Sequence, residues 1–99
     1  MKFAEIKMVK FVELMNVEIG DMFVSNEAME QIENILELEE KSAEELTAIR
    51  NTVVRTIAEE FVKPMDEAKN YKEAIRYETK MSGITAVIDN RLWNMGAMM

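Results

Sequence analysis

SAEELTAIRNTVVRTIAEEF, residues Ser42–Phe61, is the stretch from which the architecture follows. Ser42 and Glu45 form an S-x-x-E pattern. The hydroxyl accepts from the Glu45 amide and the carboxylate accepts from the Ser42 amide, so two donors that a helix start leaves unpaired are satisfied together. Leu46, Ile49, Val53, Ile57 and Phe61 then recur at intervals of three or four, which puts them on one stripe of a helix. Pro64 lacks an amide donor and ends or bends that helix.

A helix with one apolar stripe must bury it against other elements, and the flanking sequence supplies them. Downstream, Asp66 and Asn70 are both possible starts for a further helix, Asn70 with Glu73 making a second capping-box-like pair. Ala74, Met81, Ile88 and Met95 recur every seven residues with Tyr77 and Ile84 between them, a seam like that of a coiled coil. Arg91 interrupts the seam and Leu92 takes it over, as happens when a straight helix drifts off a 3.5-residue period. Ser82-Gly83 inside this helix costs up to about 1 kcal/mol relative to alanine and marks a close crossing or a kink. Gly96 is a plausible C-cap, leaving Ala97-Met98-Met99 as a frayed tail.

Upstream, Ser25 is an N-cap for a helix whose Met29, Ile32 and Leu36, flanked by Ala28 and Ile35, follow the same spacing. It is expected to run to about Lys41 and to form a hairpin with the helix that begins at Ser42. Residues 3 to 15 read as a first helix with Ala4, Met8, Phe11, Val12 and Met15 on one face and a narrow polar face, hence well covered. Gly20 breaks the pattern in Val17–Val24, a structured connector. Met1, Met8, Met15, Met22 and Met29 are spaced by seven, but polar Glu18 and Ser25 and the break at Gly20 rule out a continuous coiled coil; adaptable core filler is the simpler reading. With three glycines and one proline in 99 residues there is little material for the turns of a β-sandwich. The expectation is one all-α domain over residues 1–99, a small four-helix bundle with an acidic helical hairpin and a long C-terminal helix.

Charge is distributed unevenly. The net charge is −7, and Asn26–Glu45 alone holds eight glutamates against the single Lys41, so the rest of the chain is neutral. On one continuous helix Glu30, Glu33, Glu37 and Glu40 line up at intervals of three, four and three. Their mutual repulsion costs on the order of 1 kcal/mol, so tertiary packing has to hold the segment. Such a stripe is either a solvated face that keeps a methionine-rich protein soluble, or a docking surface for a basic cleft, thickened by Glu39, Glu44 and Glu45. At about 5 Å per charge it is sparser than one strand's phosphates at roughly 3.4 Å, so it mimics nucleic acid only in part.

Several classes of function fall away. Without histidine or cysteine the chain lacks the commonest general base, the usual zinc ligands, thiol chemistry, and the Glu-x-x-His pairs of di-iron bundles. Asp21, Asp66 and Asp89 are scattered, and Glu44-Glu45 and Glu59-Glu60 are neighbours that diverge on a helix. No enzyme, metal or cofactor is expected. A pI near 4.6 disfavours direct nucleic-acid binding. The charged amino terminus holds neither a signal peptide nor a membrane span, so the cytoplasm is the expected compartment. The partner expected is a protein with a basic surface, met by Glu30, Glu33, Glu37, Glu40 and Glu44. A second contact is expected with another copy, giving a homodimer through Tyr77, Met81, Ile84, Ile88 and Trp93.

Two stretches, Phe11–Phe23 (FVELMNVEIGDMF) and Met81–Asp89 (MSGITAVID), resemble small proteins encoded by bacteriophages and mobile elements of Gram-positive bacteria. That resemblance implies a setting in which small acidic proteins include inhibitors of host defence, anti-CRISPR proteins among them, many of which occupy nucleic-acid-binding surfaces. The function expected on this footing is inhibition of a host nucleic-acid-handling protein through the acidic face. The alternative is a self-associating helical component of virion assembly.

Overall fold

The computed structural model describes residues 6–20, 24–65 and 71–96. Four α-helices carry the fold, with no strand among the described residues: α1 (Met8–Met15), α2 (Asn26–Leu36), α3 (Ala43–Ile57) and α4 (Tyr71–Asn94). The all-α expectation holds. The proposed starts at Asp66 and Asn70, the face residue Ala4, the methionines Met1 and Met22 and the tail 97–99 lie outside the described residues.

The core follows the helical spacing closely in α3, where Leu46, Ile49, Val53 and Ile57 are all buried. Its capping box is formed, with the Glu45 amide donating to Ser42 Oγ at 3.2 Å and the Ser42 amide to Glu45 Oε1 at 3.1 Å. Approaching Pro64, which cannot donate back along the helix, the backbone widens to a π-helical turn over Ala58–Val62 and tightens to a 3-10 turn over Lys63–Met65. Half-buried Phe61 stays in the core there and packs its ring 5.5 Å from that of Tyr77. In α4 the buried residues include Ala74, Ile84, Ile88 and Leu92, so Leu92 does replace Arg91 on the inner face. Met95 is instead 48% exposed.

Two sequence expectations are corrected. In α1 it is Phe11, Leu14 and Met15 that are buried, whereas Met8, Val9 and Val12 are exposed. At 100° per residue the buried three centre roughly 110° round the helix from the exposed three, so the covered stripe is turned toward Leu14 and away from Val9 and Val12. The helix α2 stops at Leu36, short of Lys41. Leu36 and Leu38 are both buried, Leu38 completely, and two residues apart on one helix they would point about 200° from each other. The chain resolves this by turning at Glu37, which takes the left-handed conformation (φ 53°), before a 3-10 turn over Leu38–Glu40.

Gly83 marks a close approach, made by the connector and not by another helix. A Cβ on Gly83 would lie 2.7 Å from Ile19 Cγ2 and 2.9 Å from Ile19 Cδ1. The carbonyls left over near helix ends are taken up by cations from other helices. Lys10 Nζ donates to Ile35 O at 2.9 Å, Lys80 Nζ to Val17 O at 2.6 Å and Arg91 Nε to Leu38 O at 3.0 Å. Burial pushes the Lys80 ammonium below its usual range, with neighbouring Arg76 adding to the shift and Glu18 opposing it. Arg50 Nε meets Asp89 Oδ1 at 2.6 Å, and with Phe61 against Tyr77 further along, α3 and the turn that continues it run antiparallel to α4. No helix among the described residues is long and apolar enough to cross a membrane.

Candidate functional site: the acidic corner

The turn at Glu37 changes the shape of the acidic segment. Glu30 is exposed on α2, but Glu37 is that helix's left-handed cap and Glu40 ends the 3-10 turn, so the four-carboxylate stripe on one helix does not form. Glu33 is half-buried and engaged, its Oε2 accepting from Arg91 Nη1 at 3.1 Å. What forms instead is a corner. Glu37, Glu39 and Glu40 on the turn and Glu44 in the first turn of α3 are all exposed, with half-buried Lys41 among them. Glu39, which the helical spacing puts beside the stripe as a residue that thickens it, is a full member of the corner because it lies within the 3-10 turn itself.

Like charges crowded on a bend oppose its formation, and the corner is held from beneath. Leu38 is at zero exposure in the core, and Arg91 reaches its carbonyl from α4 while also holding Glu33. The Lys41 amide donates to Leu38 O at 3.2 Å, and Ser42 then starts α3. The Ser42 amide, and after it the Ser42 hydroxyl, hold the Glu45 carboxyl below its ordinary value of 4.5. Glu45 is thus tied to the cap, and Glu44 beside it points free. Acids in the first turn also suit the positive end of the α3 dipole.

Chemically this arrangement is a convex set of hydrogen-bond acceptors. It suits the face of a cationic partner. Among the described residues no group of three or more acidic side chains is placed to hold a metal ion. An open groove of about 490 Å³ lies elsewhere, against Ile75, Arg76, Thr79 and Lys80 of α4 and Glu18 and Ile19 of the connector.

The self-association candidates divide. Ile84 and Ile88 are at zero exposure within the single chain, so these two cannot meet a second copy while the bundle is intact, a correction to the expected seam. Tyr77 and Met81 are half-buried against the same core. Trp93 is 64% exposed. The seven-residue repeat therefore serves packing inside the chain, since α4 faces α1, α2 and α3 across it. No family model, curated protein or solved structure matches this chain.

Proposed function

We propose that this is a non-enzymatic binding protein that docks its acidic corner on the basic surface of a protein partner. The observation that carries this reading is the concentration of four exposed carboxylates, Glu37, Glu39, Glu40 and Glu44, on one bend whose own sequence holds a single base, Lys41. Opposite charge on a partner steers such an encounter and selects against other surfaces. Basic surfaces of that extent are characteristic of proteins that handle nucleic acid, since phosphate contacts require clustered Lys and Arg. The corner then occupies the site that nucleic acid would use. With the resemblance to small phage-encoded proteins, the role is inhibition of a host nucleic-acid-handling protein, a defence protein in the fullest form of the proposal.

The test compares the native chain with an E37Q/E39Q/E40Q variant of equal helicity in affinity capture from a bacterial host lysate, followed by displacement of the captured protein with duplex DNA and with salt. The expected result is one basic protein, held by the native chain alone and released by either competitor. Equal capture by both forms would reject the reading. A second reading, a self-associating structural protein, is favoured by the exposed Trp93, since an uncovered tryptophan is a typical anchor of a protein contact.

A further inference from the structure

The outer face of α4 carries a pattern that the inner seam conceals. Ile75, Ser82, Ala86 and Trp93 are all exposed. Ser82 lies seven residues after Ile75, Ala86 four after Ser82, and Trp93 seven after Ala86. At 100° per residue the four fall within an arc of about 40° and span roughly 27 Å of helix. Two large apolar side chains thus flank two small ones, and the spacing reads the same in both directions along the helix. Tyr71, one turn before Ile75 on the same side, is 60% exposed and enlarges that end.

A pattern that is unchanged on reversal is complementary to an antiparallel copy of itself. We propose that the protein forms a twofold-symmetric dimer through the outer face of α4, with Ser82 against the partner's Ala86 and Trp93 against the partner's Ile75 and Tyr71. Small side chains at the centre let the two helix backbones approach. The open groove beside Ile75 and Thr79, about 490 Å³, leaves room for the indole of the partner's Trp93. At the flanks the same register sets exposed Glu78 beside the partner's Asn90, whose amide can donate to the carboxylate.

Charge and area both favour a second copy as the occupant. From Tyr71 to Asn94 the four bases Lys72, Arg76, Lys80 and Arg91 stand against the three acids Glu73, Glu78 and Asp89, so this helix carries only +1 in a chain of net charge −7. The excess negative charge lies on another part of the surface and does not drive two α4 helices apart. The uncovered fractions of Trp93, Tyr71 and Ile75 amount to roughly 300–400 Å² per copy from typical side-chain areas. Two copies with the central and flanking residues then approach the lower end of specific interfaces, about 1,200 Å² in total. The dimer is independent of the acidic corner, which stays uncovered.

The test uses the full chain. Light scattering across the micromolar range is expected to show a dimer, and emission of the sole tryptophan to shift to the blue as the dimer forms. Because Ser82 and Ala86 are exposed, A86E and S82K should keep the native helicity. A86E is expected to weaken the dimer by about tenfold or more through a buried, unpaired charge, and mixing A86E with S82K to restore association. An equimolar mixture of S82C and A86C, in a chain otherwise free of cysteine, should oxidise to the mixed disulfide faster than either variant to its own. A monomer throughout the range, a dimer indifferent to A86E, or S82C cross-linking alone as fast as the mixture, which indicates parallel pairing, would each overturn the proposal.

Discussion

The acidic corner and the long helix α4 are opposites in composition and alike in what holds them. The corner has the highest charge density in the chain and four exposed glutamates on a bend; α4 is nearly neutral and buries most of its inner face. Yet each depends on aliphatic side chains at zero exposure, Leu38 in the one and Ile84 and Ile88 in the other. Carboxylates in water contribute little to their own placement, and their mutual repulsion works against it. A charged surface is thus displayed by an apolar residue beneath it, and disturbing that residue should move the charges as a group.

The largest effect is expected from making the two regions fail in the same way. L38A and I88A should each lose about 2–5 kcal/mol in urea denaturation, the range for truncating a fully buried aliphatic side chain. If L38A cost less than about 1 kcal/mol, a value typical of surface positions, the corner would not be pinned from the core. G83A comes next. The new methyl overlaps Ile19, for which overpacking costs of about 1–3 kcal/mol are usual, while helix propensity returns about 1 kcal/mol. A net loss is expected, and in an I19A background the same change should stabilise. Thermal denaturation of the four proteins of that cycle decides it, and additive values would show that Ile19 does not fill the space at Gly83.

On the corner itself, S42A should cost about 1 kcal/mol by removing the cap of α3. The Glu45 carboxyl is held below its ordinary value of 4.5 by the Ser42 amide first and the hydroxyl second. A lowered carboxyl pKa means that the contribution is present at neutral pH and fades as pH falls below about that value through the folded-state one. Stability measured against pH should therefore fall less steeply on the acid side in E45Q than in the native chain. An unchanged profile would mean that the capping box carries no proton linkage. The smallest effect is a gain. E37G should stabilise by about 0.5–1 kcal/mol, since glycine takes the left-handed conformation without the steric cost of a Cβ, less its greater entropy loss on folding. A loss would indicate that the Glu37 side chain contributes more to the corner than its exposure suggests.

Much of this was legible locally. The Ser42 and Glu45 box, the α3 stripe, the Ser25 cap of α2 and the replacement of Arg91 by Leu92 all depend on residues within a turn or two of each other. The misread features all have a tertiary cause. Met8 and Val12 fit an apolar face shared with Phe11 and Met15, but the covered stripe of α1 is turned toward Leu14 and leaves Met8 and Val12 exposed. Nothing in the spacing of Glu30, Glu33, Glu37 and Glu40 reveals that the helix stops at Leu36. The signal that was available is the pair Leu36 and Leu38, too far apart in helical angle to be buried together without a turn between them. The outward stripe of α4 was masked by the seven-residue repeat beside it, because both patterns share the same helix and only burial separates them.

The amino-acid sequence by itself determined that this protein is helical, where α3 begins, which side of α3 is buried and that its negative charge is confined to one segment, because capping, periodicity and charge act within a helical turn. The tertiary structure alone decided which face of α1 is covered, that Leu38 bends the acidic segment into a corner, that Arg91 ties that corner to α4 and that Ile19 fills the space over Gly83. These depend on contacts between residues 25 to 64 positions apart or on the competition of two apolar stripes for one core, and no local pattern ranks those alternatives.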